Sequence, residues 1–139
     1  MSMERDGFFI STDASLLDLD AVCTMLGTTY WADTRSREVI AESIKHSLCF
    51  GVYRAADRKQ VGFARAVTDR VTVSWVCDVI IAPEFRGRGL GTWLMACLVE
   101  HPWVRQTKSH LATLDAHRLY EKFGYARREH MRRPPASDA

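Results

Sequence analysis

Residues 76–98 constrain the fold of this chain more than any other segment, because they combine the signals of a strand, a turn, a glycine-rich loop and a helix in that order. The apolar strand-like run ends at Pro83, and Gly87, Gly89 and Gly91 then fall at every second position. Apolar residues at helical spacing follow, namely Leu90, Leu94, Cys97 and Leu98. The pattern predicts a strand and a helix joined by a loop whose backbone N–H groups are free.

Such a loop is suited to binding an anion. Glycines lack Cβ, so successive N–H groups can point into one concavity, and the first helical turn adds unpaired donors and the positive end of its dipole. A phosphate is the simplest ligand. A Walker loop is excluded because Thr92 and Trp93 follow Gly91 where lysine is required, and the even glycine spacing excludes a dinucleotide fingerprint.

Two motifs in this chain match one family. Arg86 to Gly91 fits the pattern of Arg or Gln, two residues, Gly, one residue, then Gly or Ala. Residues 116–125, Ala-His-Arg-Leu-Tyr-Glu-Lys-Phe-Gly-Tyr, fit a second pattern, Ala-x-x-Leu-Tyr-Glu-Lys-x-Gly-aromatic. In these motifs the chain resembles the GNAT superfamily of N-acetyltransferases. The resemblance covers nearly the whole chain, but it is specific only from Val76 to Thr92 and from Ala116 to Tyr125.

The resemblance implies a binding site for acetyl-CoA as cosubstrate, without a metal. The residues implied for the pyrophosphate are Arg86, Gly87, Arg88, Gly89, Leu90, Gly91 and Thr92. Backbone groups of Val79, Ile80 and Ile81 are implied for pantetheine and thioester, since in the family this strand splays from the strand after the helix. One departure is Thr113, which stands where the family commonly has an asparagine that contacts coenzyme A. A hydroxyl can still make one such hydrogen bond.

Acetyl transfer from a thioester to an amine needs backbone donors for an oxyanion, a proton source for the sulfur and an acceptor for the amine proton. Tyr120 matches the family's tyrosine and is the expected proton donor, because a phenol with a pKa of about 10 stays protonated at neutral pH. The alternative is a half-buried tyrosine on a short amphipathic helix. A matched mutation to phenylalanine should separate the two.

Asp78 is the leading candidate for the base, because it interrupts an apolar strand near the expected thioester. A structural role is equally consistent with the pattern, either through hydrogen bonds to the backbone or through a bulge. Asp115 and His117 are alternatives that would act through water. Trp75 stands where some family members carry a glutamate, so the base is placed differently here.

Hydrophobic patterning predicts a mixed α/β fold with helices on both faces of the sheet. The predicted strands are 7–11, 48–53, 60–67, 71–81, 109–114 and 125–131, and the predicted helices run from about 13 to 27, 36 to 48, 89 to 100 and 116 to 123. The early strands should be antiparallel, and the crossover through the helix after the glycine loop should be parallel and right-handed. Tyr30 and Trp31 fall in an irregular connection, where they either line the acceptor site or cover the core.

The 139 residues suggest one domain, with 132–139 as a frayed tail. We find no apolar stretch of transmembrane or signal type, so a cytoplasmic protein without a membrane partner is expected. A net charge of +2 gives no reason to expect a nucleic-acid partner. The four cysteines lack metal-ligand spacing, and Cys77 and Cys97 lack an activating partner, which disfavours a covalent route.

Three functions are compatible with these patterns. The first is an acetyl-CoA-dependent N-acetyltransferase that acts on a primary amine of a small molecule or peptide by direct attack, as a monomer or homodimer. The second is a non-catalytic acyl-CoA sensor that uses the same pocket. The third is a nucleic-acid-binding domain that uses Arg86, Arg88 and the C-terminal arginines, although no recognition motif accompanies those charges.

Overall fold

A six-stranded sheet forms the framework of the computed structural model, which describes residues 2–136. Its strands are β1 (Ser2–Arg5), β2 (Phe8–Ser11), β3 (Leu48–Arg54), β4 (Gln60–Thr68), β5 (Val73–Ile81) and β6 (Lys108–His110). They lie in the sheet in chain order, and each neighbouring pair is antiparallel except β5 and β6, which are parallel. The mixed sheet predicted from the sequence is therefore confirmed.

Helices occupy the connections between these strands. They are α1 (Leu19–Leu26), α2 (Arg37–Lys45), α3 (Leu90–Glu100), α4 (Pro102–Arg105) and α5 (His117–Glu121). Ser36 caps α2, as its sequence position predicts, by accepting a hydrogen bond from the Val39 N–H. None of the helices within residues 2–136 has the length and apolar content needed to cross a bilayer.

The core extends over both faces of the central strands and includes buried residues of α1, α2 and α3. Phe50 in β3 and Phe63 in β4 are fully buried, as are Leu94 and Leu98 in α3. Burial of a side chain of this size stabilises the fold by about 1.5–3 kcal/mol. The packing of α3 on the sheet thus holds the start of this helix, with the glycine loop before it, next to Ile81 at the end of β5.

A bulge interrupts β5 at Asp78. Phe63 pairs with Ile80, but Arg65 pairs with Cys77, so β5 carries one more residue than β4 between these pairs. Asp78 itself has a left-handed backbone with φ of 59°. Aspartate tolerates this conformation better than most residues, and the extra residue breaks the period-two alternation of the strand.

The parallel strands β5 and β6 part after a short contact. Their pairing runs from Val73 opposite Lys108 to Trp75 opposite His110, where β6 ends. The sequence predicted a longer strand, to Leu114. Beyond Trp75, β5 has only β4 as a neighbouring strand, so its last residues face an opening rather than a ladder. This is the splay that the resemblance implied.

The two ends of the chain differ from the sequence-based expectations. Strand β1 was not predicted, and it pairs with β2 across Asp6 and Gly7, both with positive φ. The predicted strand over 125–131 is wrong, because residues 125–135 form no ladder. Charged and exposed residues fill that segment, and charged residues pair poorly in strands.

The predicted start of the first helix is wrong, and so is the prediction that Asp115 caps the helix over 116–123. The first helix splits, because Asp13 caps a separate 3-10 turn at Ala14–Leu16 and Asp18 caps α1. Asp115 does not cap α5. Instead the Oγ1 atom of Thr113 accepts the N–H of Ala116 at 3.0 Å.

Candidate active site

A cavity of about 1110 Å³ opens where β5 parts from β6. All of the sequence-predicted site residues except Arg88 line it, namely Tyr30, Trp31, Asp78, Val79, Ile80, Ile81, Arg86, Gly87, Gly89, Leu90, Gly91, Thr92, Thr113 and Tyr120. The glycine loop, the end of β5, α5 and the connection after α1 thus meet around one space. A cavity of this size can hold a ligand of several hundred daltons.

The glycine loop presents backbone donors to this cavity. Gly87 and Gly89 have φ of 80° and 78°, which only glycine adopts at little cost, and an added Cβ would meet no atom within 4 Å at either position. Within residues 2–136, the N–H groups from Gly87 to Thr92 donate to no protein acceptor. They adjoin the N-terminus of the 11-residue helix α3, so the local field favours an anion.

Arginine side chains surround the loop. The Nε atom of Arg86 donates to the carbonyl oxygen of Ile81 at 3.0 Å, which ties the loop to the end of β5. Arg88, outside the cavity lining, places its Cζ atom 5.4 Å from the centre of the Phe85 ring. Arg54 and Lys59 lie 5.4 and 5.6 Å from the same ring. Because Arg54 is paired with Asp57, Arg88 and Lys59 supply the positive charge beside the loop.

The Asp78 carboxylate lies at the centre of a buried hydrogen-bond network. Its Oδ1 accepts from Trp31 Nε1 at 3.0 Å, and its Oδ2 accepts from Arg35 Nη1 at 2.8 Å and Arg65 Nε at 2.9 Å. Arg65 also donates to Ser47 Oγ. The carboxylate side chain is 1% exposed. Three donors, two of them cationic, thus occupy both oxygens of this carboxylate.

Sequence reasoning found Asp78 but missed Arg35 and Arg65. A signal for Arg65 existed, because an arginine in the apolar strand β4 needs a buried partner, as Asp78 does in β5. The Arg35 contact carried no such signal, since it joins residues 43 positions apart. In a regular strand, the side chains of Cys77 and Asp78 would point to opposite faces of the sheet. The bulge instead brings the Asp78 carboxylate to Arg65, which is the residue that pairs with Cys77.

Tyr30 and Trp31 form part of the wall of the cavity. Their rings are 5.0 Å apart in an edge-to-face arrangement, and both are substantially exposed. Because Trp31 also donates to Asp78, the wall is anchored to β5. The two aromatic residues therefore line the pocket instead of covering the core.

Tyr120 reaches the cavity from α5. It is half-buried, and within residues 2–136 its hydroxyl makes no hydrogen bond, whereas the hydroxyl of neighbouring Tyr125 is 2.6 Å from Ser109 Oγ. Burial raises the pKa of Tyr120, and the nearby Tyr125, Asp115 and Tyr30 raise it further. The phenol therefore stays protonated, with its hydroxyl free for a ligand.

The other candidate bases lie in different places. Asp115 is exposed and lines the cavity that contains Tyr120. His117 lines a second cleft of about 830 Å³ between α5 and the C-terminal segment. Trp75 stacks on His110 with ring centres 5.9 Å apart. Of the two alternatives to Asp78, only Asp115 thus faces the main cavity.

We expect Cys77 to be inert although it lines the cavity. Burial raises the pKa of its thiol to about 11, so almost none is thiolate at neutral pH. Cys77→Ala should keep kcat within about threefold of the wild-type value. Iodoacetamide at pH 7 should not inactivate the wild-type protein, and peptide mass spectrometry should find Cys77 unmodified. Inactivation that Cys77→Ala abolishes would contradict this expectation.

Comparisons with known proteins agree with the geometry. A family described as "Acetyltransferase (GNAT) domain" matches residues 45–127. A Gibberella zeae protein named as an acetyltransferase is 30% identical over 85% of this chain and 78% of its own length. An uncharacterized N-acetyltransferase of Porphyra purpurea is 30% identical over 87% of this chain and 71% of its own.

A solved structure extends the similarity to the fold. A Xanthomonas campestris protein described as belonging to the GNAT family is 35% identical to this chain. The two superpose with a TM-score of 0.86, covering 96% of this chain and 98% of that one. The resemblance seen in the two sequence motifs is thereby confirmed, and the chain belongs to the GNAT family of acetyltransferases.

Proposed function

We propose that this protein is an N-acetyltransferase that transfers an acetyl group from acetyl-CoA to a primary amine of a small molecule or peptide, by direct attack of the amine. One observation carries the proposal. A single cavity joins unpaired loop amides at one end to the free hydroxyl of Tyr120 and the aromatic wall of Tyr30 and Trp31. A donor with a diphosphate and a thioester fits the first part, and an amine acceptor fits the second.

The residues of the loop fit the diphosphate of acetyl-CoA. The N–H groups from Gly87 to Thr92 would donate hydrogen bonds to its oxygens, and Arg86 and Arg88 would supply positive charge. The backbone of Val79, Ile80 and Ile81, which lies beyond the β6 pairing, would hold the pantetheine arm. The Thr113 hydroxyl accepts from Ala116 but keeps its own proton to donate. When bound, acetyl-CoA supplies an acetyl group activated as a thioester.

We assign the proton for the departing sulfur to Tyr120. Its hydroxyl faces the cavity without a partner in the described part of the chain, and burial keeps it protonated. The neighbouring Tyr125 cannot share the role, because Ser109 engages its hydroxyl. A positioned acid of this kind contributes about 10²–10⁴-fold to a rate.

We assign Asp78 a positioning role. We propose that Asp115 accepts the amine proton through a water molecule. Asp78 is occupied by Trp31, Arg35 and Arg65, so it orients the acceptor wall. Asp115 is exposed on the cavity wall, where a water molecule can link it to an acceptor. This assignment reverses the order in which the sequence alone ranks the two carboxylates.

The loop assignment makes a prediction for Gly89. Gly89→Ala should weaken acetyl-CoA binding by at least about tenfold, because the new Cβ favours negative φ and rotates amides that make charge-assisted hydrogen bonds. Isothermal titration calorimetry measures the change. Gly124→Ala is the matched control, since Gly124 also has positive φ and open space around it but lies outside this cavity.

The control separates strain from recognition. Each substitution should destabilise the fold by about 1–2 kcal/mol, the cost of a left-handed alanine. Only Gly89→Ala should lose affinity for acetyl-CoA. Equal affinity in the two variants would show that the loop does not bind the diphosphate.

A thiol-release assay tests the proposed function directly. Purified protein and acetyl-CoA are incubated with a panel of amino acids, polyamines, aminoglycosides and peptides with free N-termini. The proposal expects amine-dependent release of coenzyme A and an acetylated product by mass spectrometry. Acetyl-CoA binding without release for any amine would favour the sensor. Salt-dependent binding of DNA or RNA, with no stabilisation by coenzyme A, would favour the nucleic-acid alternative.

A further inference from the structure

Charge is unbalanced around the buried Asp78. One carboxylate faces two guanidinium groups, from Arg35 and Arg65. The side chain of Arg65 is 13% exposed and that of Arg35 is 28% exposed, so Arg65 forms the deeper pair with Asp78. The surplus positive charge therefore lies on Arg35, which lines the cavity.

Arg35 also has unused hydrogen-bond donors. Its Nη1 atom donates to Asp78, but within residues 2–136 its Nη2 and Nε atoms donate to no acceptor. The contact with Asp78 restrains the guanidinium, which lowers the entropy lost when it binds a second anion. A planar guanidinium with free donors is the side chain best suited to a carboxylate or phosphate.

The other charged residues on the cavity wall also favour an anionic ligand. Arg132 lines the cavity and has no ion-pair partner among residues 2–136, and Asp115 is the only other described carboxylate on the wall. Asp78 directly precedes Val79 in β5, so Arg35 lies one hydrogen bond from the strand assigned to the pantetheine arm. An acceptor anchored at Arg35 would carry its amine only a few atoms from its anionic group.

We propose that Arg35 binds an anionic group, a carboxylate or a phosphate, on the amine acceptor. The inference rests on the proposed N-acetyltransferase function and narrows its substrate class to small amines that also carry a negative charge. Polyamines and aminoglycosides are disfavoured, because like charges would meet at Arg35 and Arg132. Arg35 is thus a specificity-determining residue.

Matched substrate pairs test the proposal. Amino acids are compared with their amides, and phosphoethanolamine with ethanolamine, so each pair differs in the anionic group. The anionic member should have a kcat/KM at least about tenfold higher, the effect expected of one hydrogen bond to a charged group. The amides have the more acidic ammonium group and hence more free amine, so ionisation cannot produce this preference. The first pair reports a carboxylate acceptor and the second a phosphate acceptor.

Variants of Arg35 assign the effect to this side chain. Arg35→Met should raise KM for the anionic substrates by about 10–100-fold and bring the ratio of kcat/KM between the two members of each pair to about one. Arg35→Lys should restore part of the preference, because charge returns without the planar fork. Arg37→Met is the control, since Arg37 is exposed and paired with Asp20 on the surface. Each variant should keep the wild-type affinity for acetyl-CoA, which shows that it is folded.

The outcomes separate this inference from the proposed function. Transfer to amines without an anionic preference, or a preference that survives Arg35→Met, would overturn the inference and leave the function intact. No transfer to any amine would overturn the function. In that case binding still tests Arg35: N-acetyl amino acids should bind the protein with coenzyme A more tightly than their amides do, and Arg35→Met should remove the difference. If the wild-type protein bound the N-acetyl amino acids and their amides equally, the proposed anion site at Arg35 would be refuted.

Discussion

We expect Tyr120→Phe to lower kcat by about 10²–10⁴-fold, the contribution typical of a positioned acid. Affinity for acetyl-CoA should stay within about twofold, because the phenyl ring and its packing remain and only the hydroxyl is lost. That hydroxyl lies in the cavity and has no partner within residues 2–136. Steady-state kinetics of thiol release, together with calorimetry of acetyl-CoA binding, measures both quantities.

Tyr125→Phe is the matched control. Its ring lies 6.2 Å from that of Tyr120, but its hydroxyl is engaged by Ser109. Removal of that hydroxyl should cost about 1 kcal/mol of stability and little activity. If both variants kept the wild-type kcat, Tyr120 would have no part in proton transfer.

The pH profile of the wild type adds a second readout for Tyr120. The protonated phenol is the active form, and burial raises its pKa above the ordinary value of 10.0. Activity should therefore not fall between neutral pH and pH 10.0 because of this group, and its loss should begin only above that value. The pH profile of Tyr120→Phe should lack this loss of activity at high pH. If the same loss of activity persists in the variant, it is caused by the titration of another group.

Asp78→Ala should reduce the free energy of unfolding by about 3–5 kcal/mol, because it leaves the guanidinium groups of Arg35 and Arg65 without their buried counter-charge. For a domain of this size, the melting temperature should fall by about 10–20 °C. The left-handed backbone at position 78 adds strain for alanine. Urea unfolding followed by tryptophan fluorescence measures the loss, and it also reports on Trp31, which loses its acceptor.

Asp78→Asn separates charge from backbone conformation. Asparagine tolerates positive φ and keeps one oxygen acceptor, so this variant should lose less stability than Asp78→Ala. Asp33→Ala is the control, since Asp33 is exposed and should change stability by no more than about 0.5 kcal/mol. An Asp78→Asn protein of wild-type stability that has lost all activity would instead return Asp78 to the role of base.

Much of the candidate site follows from local patterns. The glycines at 87 and 89 occupy the left-handed conformations that the loop requires, and the helix begins at Leu90 as its apolar spacing predicts. Tyr120 lies on a helix that opens into the same cavity. These features involve residues close in sequence, whose conformations depend on backbone sterics and helical periodicity.

Errors arose where the outcome depends on distant partners. The strand predicted for residues 125–131 does not form, and β1 forms where the sequence has only a weak strand pattern. Whether an edge strand forms depends on a neighbouring strand that can pair with it, and not on its own composition alone. The cap predicted at Asp115 failed for a related reason, since the path of the chain starts α5 after Ala116 without a side-chain cap, and Thr113 accepts the Ala116 N–H instead.

The sequence by itself determined the order of strand, loop and helix, the positive-φ glycines of that loop, and the family to which the chain belongs. Only the tertiary structure decided which partners Asp78 has. Alternation along β5 assumes an unbroken ladder, but one extra residue opposite β4 turns the carboxylate toward Arg65, and the connection before α2 brings in Trp31 and Arg35. A bulge depends on how two strands pair, and a buried charge takes the partners that folding brings to it, so neither is visible in a local pattern.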